Sequence, residues 1–150
     1  MAVHRSPASL RHRALAAIAP LALTSLALAG CQGQPEQPDN AQICSAYGSG
    51  ASGVEVIAQG KIVAMLGSSE GPSGEHDGFL LKLRDQCDLL LRVEVNTDIT
   101  GPVPLHAGET AIVKGQYETD ATGGVIHWTH HDPEGRHVGG YIVVGGKTYG

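Results

Sequence analysis

The clearest alternation of apolar and polar positions runs through "FLLKLRDQCDLLLRVEV", residues 79–95. Phe79, Leu81 and Leu83 share one side, as do Leu89, Leu91, Val93 and Val95, while Lys82, Arg84, Asp88, Arg92 and Glu94 point the other way. Side chains of a strand alternate between its faces, so this pattern predicts a hairpin with one buried and one wet face. Upstream, "GVEVIAQGKIVAML" is a second extended run, with Gly60 in its middle where a glycine permits the bend of a curved sheet. "GSSEGPSGEHDG", between the two, has the composition of a loop. Downstream, "TAIVKGQYETD" resumes strand character across Gly115, and "VIHWTHH" reads as a further strand ending in a "DPEG" turn. "GGYIVVGGKTYG" predicts a terminal hairpin turning at Gly145 and Gly146. Only "AQICSAYG" carries a weak helical signal, a single turn, and the serines of "SAYGSGAS" read as flexible chain without any nucleophile motif.

Five principal, glycine-bent strands with a longer connection between the third and fourth predict an all-β fold over residues 42–150. The expected architecture is a small five-stranded closed barrel of the oligonucleotide- and oligosaccharide-binding type, with the C-terminal hairpin appended. An open antiparallel sheet is the alternative.

The first thirty residues follow another logic. Arg5, Arg11, His12 and Arg13 precede an apolar run from Ala14 to Ala29, broken by Pro20, as in a secretory signal. The run is short for a membrane span. Its end, "LALAGC", resembles the lipobox of bacterial lipoproteins, which implies cleavage before Cys31 and a diacylglycerol on its thiol. Buried acyl chains at about 0.8 kcal/mol per CH₂ would hold the protein on a bilayer. Gln32 is not the aspartate that implies inner-membrane retention, so the expected address is the cell envelope, on the outer membrane facing the periplasm. "QGQPEQPDN" then reads as a polar tether, residues 31–41.

Removal of the leader changes the charge. It takes Arg5, Arg11 and Arg13 from the ten Lys and Arg, leaving seven against fifteen Asp and Glu, a formal −8 for residues 31–150. Nucleic acid is a poor partner for such a chain. With Cys31 assigned to lipid, Cys44 and Cys87 either pair, in a compartment where disulfides persist, or remain separate thiols.

Candidate chemistry concentrates in "VIHWTHHDPEGRH", residues 125–137. As a strand it puts His127, Thr129 and His131 on one face and Trp128, His130 and Asp132 on the other. Residues i and i+4 stand about 13 Å apart and i and i+2 about 7 Å, so His130 with Asp132 is the nearer ligand pair. His137, His76 or His106 would add a third. Imidazole and carboxylate suit a divalent transition metal, with His130, Asp132 and His137 as the trio, but no regular ligand spacing marks the site. A second reading makes His76, His130 or His131 an acid–base group. A third makes the stretch a rigid corner, with Asp132 accepting the amides of Glu134 and Gly135 and Arg136 pairing with Asp132 or Glu134.

"GGVIHWTHHDPEGRH" followed by "GGYIVVGGKTYG", together with "HDGFLLKL", "VNTDI" and "LHAGETAIVKGQYE", resembles a family of small bacterial secreted proteins known as domain of unknown function 3465. The likeness spans about residues 53–150. It implies secretion, a barrel, and a site among His76, Asn96, His127, Trp128, His130, His131, Asp132, Gly135, Arg136 and His137. The chain departs from that pattern in placing Glu75 and Asp77 beside His76, and Val95 where members carry a histidine.

Three functions remain open. One is a binding module presenting Trp128, Tyr117 and Tyr141 to an envelope glycan or peptide. The others are a metal- or histidine-dependent hydrolase around His130, Asp132 and His137, and a structural envelope component.

Overall fold

The computed structural model describes Met1 and residues 36–150. The expected leader, the lipid site at Cys31 and tether residues 32–35 lie outside the described residues.

Helix α1 (Asn40–Ser49) is followed by β1 (Val54–Gly71), β2 (Gly74–Lys82), β3 (Leu90–Asn96), the four-residue α2 (Thr97–Thr100), β4 (Thr110–Glu118), β5 (Val125–His127), β6 (Tyr141–Val144) and β7 (Lys147–Tyr149). One long strand serves two neighbours. Residues 54–61 of β1 pair antiparallel with β4, and residues 61–71 pair antiparallel with β2. β3 runs antiparallel to β2 and parallel to β5, and β5 returns antiparallel to β4. The pairings close a ring of five strands, β1-β2-β3-β5-β4, and the β6–β7 hairpin extends the sheet from β4. The all-β expectation holds, with this ring where the barrel was expected and the hairpin appended to it.

Gly60 makes the double use of β1 possible. A Cβ there would stand 2.7 Å from the Lys82 carbonyl oxygen and 2.9 Å from the Leu81 side chain, so only glycine lets the strand cross so close to the end of β2. Gly145 and Gly146, at φ 56° and 76°, form the primed turn that the terminal sequence predicts.

Apolar side chains from every strand of the ring meet inside it. Val56, Ala58, Ile62, Phe79, Leu81, Leu91, Val93, Val95, Ala111, Val113, Tyr117 and Ile126 are all buried, as the alternation in the β2–β3 hairpin requires. α1 adds Ile43 and Ala46 to the same core. It is longer than the single turn expected, because Asp39 caps its first amides and Gly50 ends it in a left-handed conformation. Ser45 and Ser49 therefore belong to a helix, not to flexible chain. Cys44 and Cys87 are joined, Cα atoms 5.9 Å apart, tying α1 to the β2–β3 connection.

Order begins before Gln42. The Asp39 amide donates to the Ile57 carbonyl at 2.8 Å, and Lys114 Nζ meets Glu36 at 2.7 Å. The stretch that reads as a loop over residues 67–78 is instead mostly ladder, with β1 and β2 paired from Gly67–Gly78 out to Gly71–Gly74 around a turn at Pro72 and Ser73. This arm projects past the core, so both faces are wet and the apolar alternation that would announce a strand is missing. Among the described residues no helix is long and apolar enough to cross a membrane.

Candidate functional site

β5 stops after His127 because Trp128 takes φ 55°, a left-handed conformation that costs a bulky residue about 1–3 kcal/mol. The strand expected over "VIHWTHH" is thus cut short, and its two-face alternation fails from residue 128 onward. What holds the backbone there is close packing on β4. A Cβ at Gly115 would strike the His127 carbonyl, and one at Gly140 would strike the Trp128 carbonyl and crowd Thr129. Two glycines thus let the segment lie flat. Thr129, fully buried, donates its hydroxyl to the Glu94 carbonyl at 2.8 Å, and the Gly140 amide donates to the His130 carbonyl at 2.8 Å.

Asp132 shapes the rest of the loop. Its carboxylate accepts the Glu134 amide at 2.9 Å and the His137 amide at 2.5 Å, an Asx turn closing on residue 137 rather than on Gly135. His137 is thereby carried back over Trp128, ring centroids 4.7 Å apart and planes 15° from parallel. His127 also stacks with the indole, centroids 6.0 Å apart and planes 26° from parallel, and His130 meets His137 edge-on at 5.0 Å. The result is a row of four rings.

All four rings line a cleft of about 650 Å³. Ser69, Pro72 and Ser73 of the projecting arm, His76, Glu94 and Asn96 of β2 and β3, and Ile99 of α2 line the same cleft. His76 and Asn96 are register partners. Asn96 is 3% exposed and braces the arm. Its Nδ2 donates to the Ser73 carbonyl at 2.7 Å, and its Oδ1 accepts the Asp98 amide at 3.1 Å. Arg136 and Glu134 line the rim and pair with each other at 3.0 Å.

Loss of solvent lowers the imidazole pKa of both His127 and His130 below the ordinary 6.5. At His127 nearby Arg92 adds to the effect while Glu118 and Glu94 oppose it; at His130 the bond to the His131 carbonyl opposes it and neighbouring His137 adds to it. Burial pushes the Asp132 carboxyl up, but the His137 and Glu134 amides and the His137 ring outweigh that and hold it below 3.8.

Of the residues singled out in sequence, His76, Asn96, His127, Trp128, His130, Arg136 and His137 come together around the cleft. His131 is exposed and contributes only its carbonyl, Asp132 acts as the loop's frame, and Gly135 sits in the turn at φ 67°. The pairing of His130 with Asp132 is replaced by His137 with Asp132, whose Nε2 and Oδ1 stand 4.0 Å apart. Among the described residues no three His, Cys, Asp or Glu side chains are grouped as metal ligands. His106 is exposed beside Glu109 at 3.4 Å, outside the cleft lining. The recognition face of Trp128, Tyr117 and Tyr141 is not assembled either. Tyr117 is a core residue that donates to the Gly123 carbonyl at 2.9 Å, and Tyr141 lies on β6 with Lys114 5.9 Å from its ring. Sequence reasoning missed Ser69, Ser73, Glu94 and Ile99. Glu94 was legible in principle, since it shares the outer face of β3 with Asn96.

The model of the family "Protein of unknown function (DUF3465)" matches residues 25–150. The chain belongs to this family. Its matched span takes in all nine elements among the described residues and the whole cleft lining. No curated protein and no solved structure matches the chain.

Proposed function

We propose that this DUF3465 protein is a lipid-anchored envelope module that binds a saccharide in the cleft between the projecting arm and the Trp128 row. The observation that carries this reading is Trp128 itself. Its backbone is held in an unfavourable conformation, and the residue stays 39% exposed while lining a concave, mixed polar and aromatic site. Close packing on β4 maintains that strain, and strain kept at a surface aromatic motivates a functional reading of the position. Sugar rings offer C–H faces to aromatic surface and hydroxyls to flanking polar groups, and five-stranded barrels of the oligosaccharide-binding kind use the β2–β3 face for such ligands. The formal −8 of residues 31–150 disfavours nucleic acid as the occupant. The leader and the "LALAGC" stretch support the envelope address, where a tether from Cys31 to the domain would leave the cleft free to meet its ligand.

Trp128 is the chain's only tryptophan, so its emission reports on the site directly. Titrating the protein with neutral peptidoglycan and chitin oligomers is expected to give a saturable change in that emission with no new product by chromatography. No saturable response to any oligomer would end the saccharide reading, and product formation would move it to hydrolysis.

A further inference from the structure

The projecting arm runs past the end of its supporting strand. His76 is the last residue of β2 with a partner on β3, in register with Asn96, whereas β1 follows β2 to the turn, with Gly71 opposite Gly74. From Gly67 to Glu75 every residue is exposed except the half-buried Gly74. Little apolar burial is therefore available to fix this tip, and a two-stranded ribbon by itself is only marginally stable in water. Ser69, Gly71, Pro72 and Ser73 of the tip nevertheless line the cleft.

Side chains take the place of the missing strand. One more step of the β2–β3 ladder would set Thr97 opposite Glu75, but α2 begins at Thr97 and bonds the same residue by other means. Thr97 Oγ1 donates to the Glu75 carbonyl at 3.2 Å, and Asp98 Oδ2 accepts the Glu75 amide at 3.1 Å. Asn96 Nδ2 donates to the Ser73 carbonyl at 2.7 Å, while its Oδ1 accepts the Asp98 amide at 3.1 Å. Gly74 completes the fit: its φ of 110° favours glycine, and a Cβ there would strike the Asp98 carboxylate. Of these residues Asn96 lines the cleft, and Thr97, Asp98 and Gly74 do not.

We propose that Asn96, Thr97 and Asp98 are positioning residues of the cleft, which hold the arm tip in its lining before a ligand arrives. That the ligand is a sugar rests on the saccharide reading above; the hold on the arm does not. A loose tip would have to be ordered by the ligand itself, and the apparent Kd rises as the fraction of tips already in place falls.

Two measurements on the full chain in detergent test this: amide hydrogen exchange reads the arm, and Trp128 emission titrated with a neutral chitin trimer reads the site. The double variant Thr97→Ala, Asp98→Ala removes both bonds to Glu75 without touching the cleft lining. It is expected to speed exchange at the Glu75 amide and to weaken trimer binding by about three- to tenfold, while Leu91 and Val93 keep their wild-type exchange rates. Asp98→Asn, which keeps an acceptor for the amide, is expected to bind the trimer within about twofold of the wild type. Gly74→Ala, which leaves all three residues in place but pushes the carboxylate aside, is expected to reproduce the loss. Unchanged exchange at Glu75 in the double variant would overturn the hold on the arm. Faster exchange there with trimer affinity unchanged, or with Leu91 and Val93 accelerated equally, would overturn the positioning role. No response of the wild type to the trimer would remove the saccharide reading, and the exchange rates alone would then decide whether these residues hold the arm.

Discussion

The β2–β3 hairpin and the segment from Trp128 to Gly140 touch, through the Thr129 hydroxyl on the Glu94 carbonyl, yet they are held by opposite means. The hairpin has a continuous ladder from Asp77–Val95 to Lys82–Leu90 and drives Phe79, Leu81, Leu91, Val93 and Val95 into the core. The segment has no ladder at all. Side-chain hydrogen bonds, two close-packing glycines and a stack of rings fix it. Burial of apolar surface is non-directional and shared by the whole core, so the hairpin's stability is global. Hydrogen bonds to one carboxylate are local, so the segment can loosen alone. The fold keeps its cleft on the side where a loss of order need not unfold the ring.

The largest effect that separates the two regions is expected on the hairpin side. The Cys44–Cys87 bridge closes 43 residues of chain, and the double variant Cys44→Ala, Cys87→Ala is expected to lose about 4 kcal/mol in denaturant unfolding, across the whole domain. A loss under about 1 kcal/mol would mean that α1 holds to the core without it. A smaller and more local effect is expected on the other side. Asp132→Ala strands the amides of Glu134 and His137, at about 1–3 kcal/mol for the segment. Hydrogen exchange should then accelerate at those two amides and leave Leu91 and Val93 unchanged; uniform acceleration would break the contrast. The smallest effect is on pH dependence. His127 and His130 titrate below 6.5 when folded, so the unfolded chain binds protons first and their contribution, intact above 6.5, drains away as pH falls from there. Asp132, held below 3.8, adds a second loss under that value. Melting temperature followed downward from neutral pH should sag gently and then steeply, and a flat profile between neutrality and 5 would contradict the histidine share.

The hairpin was legible because a half-buried strand writes its period into the sequence. Leu81, Leu91 and Val93 could be assigned to one face without coordinates, and so could Gly145 and Gly146 to a turn. The projecting arm was illegible for the converse reason: where neither face is buried, Ser68, Ser69, Glu75 and Asp77 carry no alternation and look like loop. Tyr117 shows a third limit. An exposed recognition residue and a core tyrosine satisfied by the Gly123 carbonyl have the same letter, and only packing tells them apart.

By itself, then, the sequence determined an all-β domain, the inward face of its regular strands, and the neighbourhood in which ligand-capable side chains concentrate. These are consequences of short-range period and composition. Tertiary structure decided which of those side chains converge. It turned Trp128 left-handed, took Asp132 out of the ligand set to frame a loop, brought His137 back across the indole, and paired His76 in register with Asn96 in the same cleft. Such choices depend on which backbone amides and carbonyls lie within hydrogen-bond reach after the ring has closed, and that information is spread over strands far apart in the chain.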